Sequence, residues 1–250
     1  MTGALKFMSI LVLACLVFAS NGEAAQKVLF DNAHGERFQI GDKGPLQLSG
    51  LAEVFQGAGL QTAVIDQPFT DATLSGAGAL VISGAFTPLL PSEVEAVARF
   101  LQNGGKLVVM LHIAPPLRSI LDRLDVAYTN GVILEHENVI DGDPLRFKVN
   151  RLEVHPVLTG LSDFSLYGVW GVINRTESAR VIASTGPSAW IDLNQDKVQT
   201  KDETASIGVA VAGDLGKGSF LVFGDDAIFQ NKFLEGNNKT LAANLAAWLK

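Results

Sequence analysis

Apolar positions follow two different rhythms along this chain. In the first half, short unbroken apolar runs at Val28 to Phe30, Thr62 to Ile65, Ala79 to Ile82 and Leu107 to Leu111 are separated by stretches with helical spacing. Leu48, Leu51, Ala52 and Phe55 fall at i, i+3, i+4 and i+7, which predicts a helix stopped by Gly57 and Gly59. Val94, Val97, Ala98 and Leu101 predict a second helix, with Ser92 and Glu95 as its capping box and Gly104-Gly105 as its stop. Unbroken apolar strands imply burial on both faces, and strands separated by helices imply right-handed parallel crossovers. The predicted fold is a doubly wound, mostly parallel α/β sheet.

After Pro115-Pro116 and a short predicted helix over Leu117 to Leu124, the rhythm changes. Val132 to Leu134, Leu145 to Val149, Leu166 to Val172, Arg180 to Ala183 and Ala189 to Ile191 are short β-like runs bounded by Gly, Asn, Asp and Pro. They predict a β-rich insertion over about residues 126–193, built of hairpins or edge strands. Buried strands resume at Ile207 to Ala212 and Phe220 to Phe223, joined by a tight turn at Gly216-Lys217-Gly218. A terminal helix carries Leu241, Leu245, Trp248 and Leu249. With no internal repeat and no long linker, residues 25–250 read as one domain.

Composition narrows the classes. The chain has 250 residues, of which 48% are hydrophobic and 18% charged, as in a globular protein. The net charge of -7 and the absence of a Lys/Arg run exclude a nucleic-acid partner. At the N-terminus Lys6 precedes an uncharged apolar stretch from Phe7 to Ala19, and a small-residue site follows at Gly22-Glu23-Ala24. This predicts a signal peptide over residues 1–24 and an exported, periplasmic or extracellular protein. A retained anchor is the alternative, although the stretch is short for a span of roughly 20 residues. Cys15, in Val12-Leu13-Ala14-Cys15, loosely resembles a lipoprotein box, which would make it a lipid anchor. As the one cysteine in the chain, it leaves the domain without a disulfide, a cysteine metal site or a thiol nucleophile.

Three segments carry a resemblance: Phe30-Asp31-Asn32-Ala33-His34-Gly35-Glu36-Arg37-Phe38; Ala79 to Gly84 with Ser92-Glu93-Val94 and Phe100 to Met110; and Gly218 to Asn231, with its Gly-Asp-Asp-x-x-Phe-x-Asn ending. Together they resemble the DUF4350 domain, a relative of class I glutamine amidotransferase-like domains, including those of intraflagellar transport and gliding-associated transport proteins. The resemblance implies a flavodoxin-like three-layer sandwich that acts as a binding or assembly module beside membrane machinery. Active amidotransferases of this kind place a cysteine on the turn after a strand. Here that turn reads His112-Ile113-Ala114-Pro115-Pro116, with no Cys, Ser or Thr, so glutamine amide transfer is not expected.

In open α/β sheets ligands bind at the carboxyl ends of the strands. Asp31, His34, Glu36 and Arg37 follow the first predicted strand, Ser83 the third and His112 the fourth; Asp225, Asp226 and Asn231 follow the last buried one. These are the candidate ligand-binding residues, and three readings are open. They form a polar pocket for a hydroxyl-rich or cationic ligand; or His34, His112 and an Asp hold a divalent metal; or the aspartates cap loop amides and the histidines face solvent. Arg37 either pairs with Glu36 or clamps a carboxylate or sugar acid. His136, between Glu135 and Glu137, reads as a solvated edge, and Trp170 and Trp190 as packing residues. No catalytic residue and no cofactor is assigned. The leading expectation is a non-catalytic module whose partner is an envelope or transporter-associated protein or a small polar ligand. The alternative is a hydrolase or sugar-processing enzyme using Asp31, His34 or Asp225, with His34 and Asp225 facing each other across a cavity.

Overall fold

A computed structural model describes residues 25–250; the predicted signal peptide and Cys15 lie outside them. The first half supplies strands β1 (Lys27–Asp31), β2 (Gln61–Ile65), β3 (Ala79–Ser83) and β4 (Lys106–Met110), with helices α1 (Ser49–Gly57) and α2 (Pro91–Gln102) between them. A helical turn at Pro115–Leu117 leads into α3 (Arg118–Arg123). The insertion contributes β5 (Val126–Val132), β6 (Val139–Ile140), β7 (Asp143–Val149), β8 (Arg151–Leu152), β9 (Phe164–Tyr167), β10 (Trp170–Asn174) and β11 (Ala179–Ser184). The chain ends with β12 (Gly208–Leu215), β13 (Gly218–Phe223) and α4 (Gly236–Leu249).

The main sheet has eight strands in the order β2-β1-β3-β4-β13-β12-β11-β8. Its first five strands are parallel, and β12, β11 and β8 extend it antiparallel. Each central strand feeds two cores, as the predicted two-sided burial requires. Val28, Phe30, Val81, Val108 and Phe223 pack with α1 and α4 on one face, while Leu29, Leu80, Leu107, Val109 and Val222 pack with α2 and α3 on the other. This is the flavodoxin-like three-layer arrangement. Strand order reverses between β1 and β3, so the crevice of such a sheet opens at the ends of those two strands.

The insertion differs from the predicted runs in how it divides. β11 and β8 join the main sheet, β5 pairs with β10, and β6, β7 and β9 form a small sheet of their own. The run from Leu166 to Val172 is broken in two at Gly168, whose φ of +96° turns the chain out of one sheet and into another. Ala189 to Ile191 does not form a strand; Trp190 bridges Leu134 on one side and Thr204 on the other. Gly216, at φ +68°, opens the predicted β12–β13 hairpin, where a Cβ would lie 2.6 Å from the Gln102 backbone. Among the described residues no helix is long and apolar enough to cross a membrane.

Candidate functional site

The site is built where β1 ends. Asp31 accepts the Ala33 N–H (3.0 Å), which turns the chain out of the sheet. The His34 carbonyl then accepts the amides of Phe86 (2.9 Å) and Thr87 (2.8 Å), and Gly35 at φ +77° lets the two loops close. The turn drives the His34 ring inward against Phe69. Its Nδ1 lies 2.8 Å from Asp31 and its Nε2 3.1 Å from Glu93, and all three residues are buried. Both ring nitrogens thus face carboxylates, an arrangement that calls for a proton on each. Burial opposes that charge, but the hydrogen bonds and charges of Asp31 and Glu93 outweigh it and lift the His34 pKa to about 9. Burial also pushes Glu93 upward, yet the Leu90 and Phe69 amides and His34 hold it below the usual range.

Glu36 completes this cluster. It does not form the predicted surface pair with Arg37; instead its Oε2 accepts the His34 backbone N–H (2.8 Å). Its Oε1 is buried with no hydrogen-bond partner. Burial, then the adjoining Asp31 carboxyl, raises its pKa to about 8, so Glu36 holds its proton at neutral pH. Ligand atoms of Asp31, His34 and Glu36 lie within 4.8 Å of one another, so a cation would bind there only in exchange for protons of both Glu36 and His34.

A second pair sits beside the first. At the turn after β4, His112 Nδ1 lies 3.1 Å from Asp226 Oδ1, and the His112 carbonyl accepts from Trp170 Nε1 (3.1 Å). The Asp226 hydrogen bond is the main cause of a raised His112 pKa. Burial raises that of Asp226, with His112 opposing. Asp226 Oδ2 is buried without a donor and lies against Gly84 at the end of β3. Gly84 is at φ +64°, and a Cβ there would stand 2.6 Å from that oxygen. Phe38 and Phe86 flank the His112 ring at 4.9 and 5.5 Å, and the Arg37 guanidinium lies 4.7 Å from the centre of the Phe86 ring.

The structure thus gathers Asp31, His34 and Glu36 into one cluster and His112 and Asp226 into a neighbouring pair, with Arg37 exposed above. The two histidines are in separate clusters, so the predicted metal set of His34, His112 and an Asp is not assembled. Ser83 Oγ is buried and unpartnered at the end of β3. Asp225 is used structurally: its oxygens accept the amides of Tyr167 (2.6 Å) and Ala227 (2.9 Å). Its burial and the adjacent Asp226 charge raise its pKa to about 7. The His34 ring nitrogens are engaged by Asp31 and Glu93, so His34 and Asp225 are not hydrogen-bonded to each other. Asn231 lies elsewhere. Its Oδ1 accepts the Gly50 N–H (2.7 Å) at the start of α1, where Leu48 has no capping group of its own. Between the β1 and β3 ends the cavity lined by Asp31, Phe38 and Ser83 measures about 10 Å³, room for about one water molecule.

Glu93 is the residue that sequence reasoning missed. The helix starts two residues earlier than the predicted capping box of Ser92 and Glu95: Leu90 is the N-cap, Pro91 is first in the helix, and Glu93 reaches back to accept the Leu90 N–H (2.8 Å). Pro91 was the available signal, because proline favours the first helical position and so marks Glu93 as third.

Fold and site together define a flavodoxin-like three-layer domain that carries a histidine, His112, on the turn after β4. The chain belongs to the family described as a domain of unknown function, DUF4350, which matches residues 40–246. No curated protein matches. Among solved structures it is similar to the mmIFT52 N-terminal domain (15% identity, 89% of this chain and 96% of that one, TM-score 0.71). It is also similar to the cytoplasmic protein STM1381 from Salmonella typhimurium LT2 (17%, 90% and 100%, TM-score 0.59). A third is a ThuA-like protein from Bacteroides uniformis ATCC 8492 (14%, 93% and 95%, TM-score 0.56). At these identities the likeness shows the fold.

Proposed function

We propose that this domain is a non-catalytic binding or assembly module that works in the bacterial envelope, exported by the segment before Ala25. The observation that carries the reading is the turn after β4. His112 stands where the class needs a nucleophile, and Ser83, the one hydroxyl among the rim candidates, is buried. What the rim presents outward is a recognition patch. His112 is half-exposed, backed by Asp226, and Arg37 is held over Phe86. An imidazole and a guanidinium beside aromatic rings suit a carboxylate or sugar-acid group, on a small ligand or on a partner protein.

A thermal-shift and calorimetric screen of residues 25–250 with sugar acids, amino acids and nucleotides tests this. A ligand at a hundredfold excess over its Kd stabilises by about 2.7 kcal/mol, and that gain should vanish in Arg37→Ala and His112→Ala without any turnover. The competing reading, a hydrolase, is favoured by the His112–Asp226 pair, which has the form of a general base and its orienting carboxylate. Hydrolysis of an ester, amide or glycoside that is abolished in His112→Ala would replace the binding reading with the catalytic one.

A further inference from the structure

Beyond the insertion, the loop 192–203 carries an unassigned ligand pattern. Asp192, Asn194, Asp196, Val198, Thr200 and Glu203 occupy positions 1, 3, 5, 7, 9 and 12 of a twelve-residue segment. That is the spacing of the EF-hand calcium loop: side-chain oxygens at 1, 3 and 5, a backbone carbonyl at 7, a ligand often acting through water at 9, and a glutamate at 12. The departure is position 6, where Lys197 replaces glycine. Lys197 nevertheless adopts φ +62°, the left-handed conformation for which glycine is favoured there. The loop is folded around its own oxygens: Asp192 Oδ2 accepts the Lys197 N–H (3.0 Å), and Asn194 and Asp196 accept those of Asp196 and Val198 (2.9 and 2.7 Å).

A separate observation points to a cation. Asp192 Oδ1 is shielded from solvent and has no hydrogen-bond partner, although residues 193–200 beside it are exposed. A shielded carboxylate oxygen with no protein donor is left for a cation or a water to satisfy. The ends of the loop are held together, because Ile191 N–H donates to the Glu203 carbonyl (3.1 Å) and Trp190 bridges Thr204. Buried Glu203 is anchored to the loop, its oxygens accepting from Leu193 N–H (3.0 Å) and from Thr200 N–H and Oγ1 (3.1 and 2.7 Å).

We propose that residues 192–203 form a calcium site independent of the strand-end rim. Asp192 Oδ1, the side chains of Asn194 and Asp196 and the Val198 carbonyl supply oxygens, and Glu203 closes the set by turning from the loop amides. Such an oxygen-rich, adaptable loop suits calcium better than magnesium, which demands near-ideal octahedral geometry. Lys197 within the loop weakens the local field, which places the affinity near that of extracellular calcium modules.

The test is calcium titration of chelator-treated residues 25–250, followed by calorimetry and by terbium luminescence sensitised through Trp190. One ion should bind with a Kd of about 0.1–1 mM, and magnesium more weakly. Asp192→Asn and Glu203→Gln should each weaken binding at least about tenfold, while Asp202→Asn, at no ligand position, leaves it unchanged. Circular dichroism confirms that each variant folds, and Asn194→Ala replaces any that does not. The proposal is overturned by absent heat and luminescence at about 10 mM calcium, well above the range for such modules. It is equally overturned if binding survives both loop variants, or is lost instead in Glu36→Gln, which would assign the ion to the buried cluster.

Discussion

At the end of β1, Asp31, Glu36 and Glu93 are buried around a single imidazole, whereas in the loop 192–203 Asp196 and its neighbours lie in solvent and accept the loop's own amides. Both regions concentrate carboxylates, but burial divides their roles. In the first, each charge is out of water and is held by a particular partner, so removing one group leaves another uncompensated. In the second, water screens most of the charge, and removing one group costs little unless a cation is bound. The first region is a rigid, proton-dependent part of the fold, and the second is responsive to ions.

The sharpest way to break this contrast is His34→Ala, which leaves Asp31 and Glu93 buried without their cation. It should lower stability by about 3–5 kcal/mol in urea unfolding, and a loss under about 1 kcal/mol would mean that the cluster is not charged as described. The same cluster sets the alkaline limit. The folded His34 pKa of about 9 lies above the ordinary 6.5, so its contribution is complete below about pH 6.5 and is lost as pH rises through 9. Glu36 is raised from 4.5 to about 8, so its contribution is likewise lost on the alkaline side, as pH rises from 4.5 to about 8. Stability should therefore fall from about pH 4.5 to about 9, and His34→Gln should flatten the part of that fall above pH 6.5.

Gly84→Ala probes the neighbouring pair by forcing a Cβ toward Asp226 at a left-handed φ, with an expected loss of about 1–3 kcal/mol. Asn231→Ala, which removes the cap that α1 receives from far along the chain, should cost about 1–2 kcal/mol. The smallest effect is expected in the loop. Asp196→Asn should shift stability by less than about 0.5 kcal/mol in chelator, with a larger difference only when calcium is added.

The candidate site was legible unevenly. Asp31, Ser83, His112 and Asp226 could be placed at strand ends, because the apolar runs that define those strands are themselves local signals. Asn231 follows β13 closely in sequence, yet its side chain turns to Gly50, and nothing near residue 231 announces that. Glu93 was obscured by the stronger look of Ser92 and Glu95, although Pro91 shifts the helix start by two residues. The ligand spacing from Asp192 to Glu203 was readable throughout, but it begins directly after the apolar run Ala189 to Ile191 and disappears into an assumed strand edge.

The sequence by itself determined the doubly wound sheet, since two-sided burial, helical spacing and glycine stops act over a few residues and need no knowledge of distant partners. It also determined the absence of a thiol in the domain, because that is a matter of composition. Only the tertiary structure decided which polar groups meet. His34 joins Glu93 across 59 positions, His112 joins Asp226 across 114, and Gly50 joins Asn231 across 181. Those pairings depend on the order in which parallel strands are laid down and on how each loop turns at a strand end. Burial then fixes the charge that each pair carries, because it removes the water that would otherwise compensate it.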